Sequence, residues 1–69
     1  MNHNKLANYS RVRLLTDKYC EEGLGQGALG YIIEVYAEAY EVEFSDDQGV
    51  TIAIIVAYPE DIDLDEPAI

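Results

Sequence analysis

Apolar and polar side chains alternate with a period of two along most of this chain, and that period predicts strands rather than helices. Residues 11–17, RVRLLTD, set Arg11 and Arg13 against Val12 and Leu14, predicting a half-buried strand with Val12 and Leu14 inward. Residues 31–36 form a second strand, with Tyr31, Ile33 and Val35 on one face and Ile32, Glu34 and Tyr36 on the other. Apolar residues on both faces predict a central or strongly curved strand. The third strand, 39–44, alternates most cleanly: Tyr40, Val42 and Phe44 point in, Glu41 and Glu43 out. Residues 50–57, VTIAIIVA, are expected to turn Val50, Ile52, Ile54 and Val56 inward. The opposite side of that fourth strand, with Thr51, Ala53, Ile55 and Ala57, carries no charge. Either more chain covers it, as inside a small closed barrel, which is the favoured reading, or it is a contact surface for another molecule. Ile62 and Leu64 alternate with Asp61, Asp63 and Asp65 in a short last strand.

The connections carry turn chemistry. Residues 18–27, KYCEEGLGQG, read as a glycine-punctuated loop that Leu24 pins onto the core. Residues 45–49, SDDQG, read as a polar hairpin loop with Gly49 in a left-handed position. At 58–61, YPED, Pro59 cannot donate to a sheet ladder and favours a 3₁₀ turn. The stretch EVYAEAYEVE also contains good helix formers, so a helix across 35–42 competes with the hairpin; the strict alternation after Ala39 argues against it. Residues 1–10 are expected to be loosely attached, with Leu6 and Tyr9 tucked against the body, and 66–69 to be a frayed end. The fold class expected is therefore all-β: a small SH3-like barrel of about five short antiparallel strands with one 3₁₀ turn, spanning 11–65.

Length and composition narrow this further. A chain of 69 residues makes one domain, which buries only about 60% of its unfolded surface. The single cysteine, Cys20, excludes an internal disulfide and suits a reducing compartment. His3 and Cys20 together fall short of the ligand set of a structural zinc, and no cofactor or metal is expected. The longest apolar run, 52–58, is too short to span a bilayer, and MNHNKLANYS lacks the apolar segment of a signal peptide. The expected setting is cytoplasmic.

Charge is the strongest bulk feature, with a formal net value of −10. Lys5, Arg11, Arg13 and Lys18 are all the basic residues, and they precede residue 19. Of the 14 acids only Asp17 lies in that stretch. Such a surface repels phosphate backbones and anionic membranes and speeds encounter with basic partners. Nucleic acid and membrane are therefore not expected as partners; a basic protein is.

Motif matches dissolve when their context is required. Gly25, Gly27 and Gly30 satisfy G-x-G-x-x-G, but a dinucleotide fingerprint follows a strand, opens a helix and sits in a βαβ unit. Here GYIIEVY follows, rich in β-branched and aromatic residues. Asp61, Asp63 and Asp65 resemble the start of a calcium loop, yet Glu66 stands where its glycine belongs and the chain stops before the terminal glutamate. Asp46 and Asp47 read as turn residues. Ser10, Ser45, Thr16 and Thr51 are scattered with no base beside them, and Cys20 next to Glu21 and Glu22 has its thiolate disfavoured by like charge. An enzyme is not expected.

The segments RVRLL, EEGL, G-x-x-G-YIIEVY, AYEVEF-x-x-x-x-G, T-x-A and D-x-D-L, spread from residue 11 to 64, resemble the small bacterial proteins grouped as domain-of-unknown-function family 4926. AYEVEF at 39–44 and EEGL at 21–24 carry most of the resemblance. More loosely, a strand, a long loop with G-x-x-G and two hairpin strands look like KOW and SH3-like barrels. The resemblance implies about five short antiparallel strands and no particular activity. The chain departs from the family habit at 36–40, where a glycine or polar turn residue is usual. KOW relatives touch RNA through basic loops, a property that does not transfer to a chain without lysine or arginine after Lys18.

Two functional readings follow. In the first, the protein is an acidic binding module masking a basic partner, as antitoxins and immunity proteins do. Glu41, Glu43, Asp46, Asp47, Asp61, Asp63 and Asp65 then meet the partner's cations, while Tyr36 and Ile55 serve as apolar anchors. In the second, it is a generic SH3-like adaptor or assembly subunit with a groove at 19–26. Self-association through an exposed edge of the fourth strand, giving a homo-oligomer, is a structural variant of these.

Overall fold

The computed structural model describes residues 6–65. Five strands form one antiparallel sheet: β1 (Arg11–Leu14), β2 (Leu29–Val35), β3 (Tyr40–Ser45), β4 (Thr51–Ala57) and β5 (Ile62–Leu64), in the order β4-β3-β2-β1-β5. There is no α-helix among the described residues, and 35–42 is a hairpin between β2 and β3. Two 3₁₀ turns occur where one was expected: Pro59–Asp61, and Cys20–Glu22 within the glycine-punctuated loop. Of the loose start expected over 1–10, residues 1–5 lie outside the described residues, as does the end expected at 66–69. Within 6–10 the Tyr9 N–H donates to the Ile32 carbonyl and the Ile32 N–H to the Ser10 carbonyl. Leu6 packs on the core, whereas Tyr9, expected to tuck in, is 75% exposed.

One face of the sheet holds the core. Val12 and Leu14 of β1, Ile32 of β2, Val42 and Phe44 of β3, Ile55 and Ala57 of β4 and Ile62 at the start of β5 are buried together. Leu24 closes this face from the loop, as its isolation among glycines and acids predicts. The strand periods of β1 and β3 are those read from the sequence, with Arg11, Arg13, Glu41 and Glu43 on the outer face.

In β2 the register shifts between Ile32 and Glu34. Ile32 lies opposite Val42 and Val35 opposite Tyr40, so two inward residues stand three apart with Ile33 as the extra residue. The apolar content of both faces of 31–36 thus comes from a bulge, and Tyr31, expected on the face of Ile33 and Val35, is outward and half exposed.

β4 reverses the expected phase. Ala53, Ile55 and Ala57 lie opposite Phe44, Val42 and Tyr40 and face the core, while Val50, Ile52, Ile54 and Val56 are exposed. The reason is volume. The inward side chains of β3 are large, so the facing strand supplies two alanines, and the bulkier aliphatics go outside.

β4 and β5 are the two edges, and among the described residues no backbone pairing joins them into a closed cylinder. A side-chain clip spans the gap. Tyr19, beside the Cys20–Glu22 turn, places its hydroxyl 3.3 Å from the Val56 carbonyl oxygen of β4 and donates to Asp61 Oδ2, just before β5, at 2.7 Å.

Candidate functional site

The acids expected to meet a partner separate into three groups. Asp61 is structural: it is 2% exposed and accepts from the Tyr19 hydroxyl and from the Tyr58 N–H at 3.0 Å, with Lys18 Nζ 2.9 Å away. The Lys18 ammonium also lies 5.5 Å from the ring centroids of Tyr19 and Tyr58, which adds cation–π attraction. Asp63 and Asp65 are matched by antiparallel pairing of β1 with β5. Arg13 reaches Asp63 at 3.4 Å and Asp65 at 3.1 Å, and Arg11 Nε lies 3.4 Å from an Asp65 carboxylate oxygen. Asp46 is a turn residue, its Oδ1 accepting from the N–H groups of Gln48 and Val50, both at 2.9 Å. Asp47 is exposed in the same loop.

Glu41 and Glu43 remain, and the outer face of β2, β3 and β4 surrounds them. Glu43 stands between Tyr31 on β2 and Ile54 on β4; Glu41 stands between Glu34 and Val56. Both carboxylates are oriented by a hydroxyl rather than by a cation. The Tyr36 hydroxyl donates to Glu41 Oε1 at 2.7 Å, and the Thr51 hydroxyl donates to Glu43 Oε2 at 2.5 Å. The bond to Glu41, seconded by desolvation, pushes the Tyr36 phenol above its ordinary value. All ion pairs among the described residues go to Asp61, Asp63 and Asp65, so the charge of Glu41 and Glu43 faces solvent unneutralised.

Ile55, expected as an apolar anchor, is 8% exposed and belongs to the core because of the phase of β4. Ile54 and Val56, 52% and 47% exposed, occupy the outer face in its place. Tyr36 is exposed at the end of this face, with Tyr31 along it. The resulting patch is a carboxylate stripe bordered by aliphatic side chains on one flank and tyrosines on the other.

Residues 8–64 match the family described as Domain of unknown function (DUF4926). The chain belongs to that family. The match takes in all five strands and both 3₁₀ turns of the DUF4926 fold described above. No curated protein and no solved structure matches the chain.

Two features of this DUF4926 domain escaped the period-two reading. The Tyr19–Asp61–Lys18 clip joins residues over 40 positions apart, and nothing local to either segment announces it. The Arg11–Arg13 pairing with Asp63 and Asp65 left a fainter trace, an R-x-R and a D-x-D on the first and last strands, whose complementarity is visible once those strands are neighbours. Among the described residues no group of His, Cys, Asp and Glu side chains is arranged to hold a metal ion, and no helix is long and apolar enough to cross a membrane.

Proposed function

We propose that this DUF4926 protein is a non-enzymatic protein-binding module that takes a basic partner on the outer face of β2, β3 and β4 and masks it, in the manner of an antitoxin or immunity protein. The observation that carries this reading is the state of Glu41 and Glu43. They are held in place by Tyr36 and Thr51, left without a cation, and bordered by exposed Ile54, Val56 and Tyr31. Pre-oriented charge beside apolar surface is the composition of a recognition patch: the carboxylates steer and select, and the apolar rim supplies desolvation energy. The acids near β5 play no part in it, since Lys18, Arg11 and Arg13 already neutralise them.

The fold that presents this face is, on the same reading, a small SH3-like barrel whose last gap is bridged by the Tyr19 clip in place of a ladder. The exposed Cys20 thiol suits a cytoplasmic setting.

The test is a titration of the partner captured on the immobilised protein over a salt series, for the native chain, the double variant E41Q/E43Q and the control D63N/D65N. Affinity is expected to weaken steeply with ionic strength, to drop in E41Q/E43Q, and to hold in the control. Equal affinity in E41Q/E43Q and the native protein would overturn the assignment of the face.

A further inference from the structure

The two edges of the sheet are built differently. β5 is 3 residues long and carries Asp63, with Asp65 next to it, both bound to arginine. A short, charged edge resists pairing with another chain. β4 is 7 residues long and carries no charge, and none occurs anywhere in 50–58, within a chain of net charge −10. Charge is absent from the one edge where it would block an added strand.

The backbone of that edge is directed outward. Ile32 N–H donates to the Ser10 carbonyl and Leu14 N–H to the Ala28 carbonyl, so the peptide groups of Gly30 and Ile32 face β1. Alternation then turns those of Tyr31 towards β3, those of Glu43 towards β2, and those of Val42 and Phe44 towards β4. Ile54 and Val56, out of phase with Ile55, direct theirs away from the sheet. The Tyr19 hydroxyl at the Val56 carbonyl marks where the open stretch ends.

We propose that β4 receives an extended segment of the partner by strand addition, and that this segment alternates basic with apolar residues. This rests on the protein-binding reading above and adds its mode. The choice of occupant follows from charge. Ile54 and Val56 stand directly between the open edge and Glu43 and Glu41. A lysine or arginine on the outer face of an added strand is two strand spacings, about 10 Å, from those glutamates. Its aliphatic stem covers Ile54 or Val56 while its cationic head meets the carboxylate. A second copy of this chain offers no such cation, because its own β4 is uncharged and its β3 brings Glu41 and Glu43 into the same field.

The experiment uses the full chain, isotope-labelled for amide-resolved hydrogen exchange, with three synthetic probes: a short peptide alternating lysine and valine, its glutamate–valine counterpart, and the lysine–valine peptide N-methylated on alternate amides. The lysine–valine peptide is expected to slow exchange at the Ile54 amide, to lose about tenfold or more in affinity on N-methylation, and to weaken in E41Q/E43Q. Full binding of the N-methylated peptide, still sensitive to E41Q/E43Q, overturns strand addition and leaves the acidic-face reading standing. Binding abolished by N-methylation but equal for lysine and glutamate probes and for E41Q/E43Q overturns the acidic-face reading and the basic occupant. Ile54 protection in peptide-free protein together with a dimeric mass makes a second copy the occupant and overturns the proposal, as does failure of all three probes to bind.

Discussion

Gly30 lies against the ring of Phe44 so closely that a methyl group added to it would sit 2.8 Å from Phe44 Cδ1 and 2.8 Å from the Glu43 carbonyl oxygen. Phe44 is buried in the centre of the core and the carbonyl belongs to the paired strand, so neither neighbour has room to retreat. The third glycine of the apparent nucleotide motif is thus a packing requirement between β2 and β3. Gly30→Ala is expected to destabilise the fold by about 2 kcal/mol, although alanine in a strand is otherwise the better residue. Urea unfolding reads this directly, and a midpoint at or above that of the native protein would show that the strands part without cost.

The phase of β4 separates two adjacent isoleucines. Ile55→Ala removes a core side chain opposite Val42 and should cost about 2–4 kcal/mol. Ile54→Ala trims an exposed one and should stay within about 0.5 kcal/mol of the native protein. Thermal unfolding of the two variants side by side distinguishes this phase from the opposite one, under which the ranking inverts.

These cases show what a strand period can and cannot reveal. In β1 and β3 every second residue is charged or polar, so a single face was available for the core, and Val12, Leu14, Val42 and Phe44 were legible at once. In 50–57 both faces are apolar, and the larger side chains make the exposed face look like the core. Only the volume of Tyr40, Val42 and Phe44 across the ladder resolves the choice, and that is a property of the pair of strands. The same limit applies to the candidate face: Glu41 and Glu43 were readable as outward, but their neighbours Ile54 and Val56 depend on the phase of β4. The membership of Asp61 in a buried clip depends on a contact with Lys18 and Tyr19 that no local pattern encodes.

Asp46 illustrates an acid whose work is finished inside its own loop. Its carboxylate accepts from Gln48 and Val50, while Gly49 adopts a φ of +83° and its N–H donates to the Asp46 carbonyl. Asp46→Ala frees two donors at an exposed turn and should cost about 1 kcal/mol, with partner affinity unchanged. Loss of affinity without loss of stability would instead make this loop part of the binding face.

The clip at Asp61 sets the pH response of the fold. Burial alone would raise this carboxyl, but the Tyr58 N–H, the Lys18 ammonium and the Tyr19 hydroxyl outweigh it and hold it below its ordinary value of 3.8. The fold therefore favours the ionised form, and the resulting stability is complete above about pH 4 and is lost as pH falls through the lowered value. Tyr19 behaves oppositely. Burial first, then its bond to Asp61, raises the phenol well above 10.0, so its contribution is whole below that pH and declines as pH climbs past it. Asp61→Ala leaves the Tyr58 N–H without its acceptor and the Tyr19 hydroxyl with the more distant Val56 carbonyl alone, and should cost about 2 kcal/mol; Lys18, half exposed, returns to water and limits the loss. Stability curves of native protein, D61N and Y19F from acid to alkali provide the check. D61N should flatten the decline on the acid side, and Y19F should reduce the decline above pH 10, leaving the part carried by the raised phenol of Tyr36. Parallel curves for all three would mean that the clip carries no proton linkage and that the edges of the sheet are held together by packing alone.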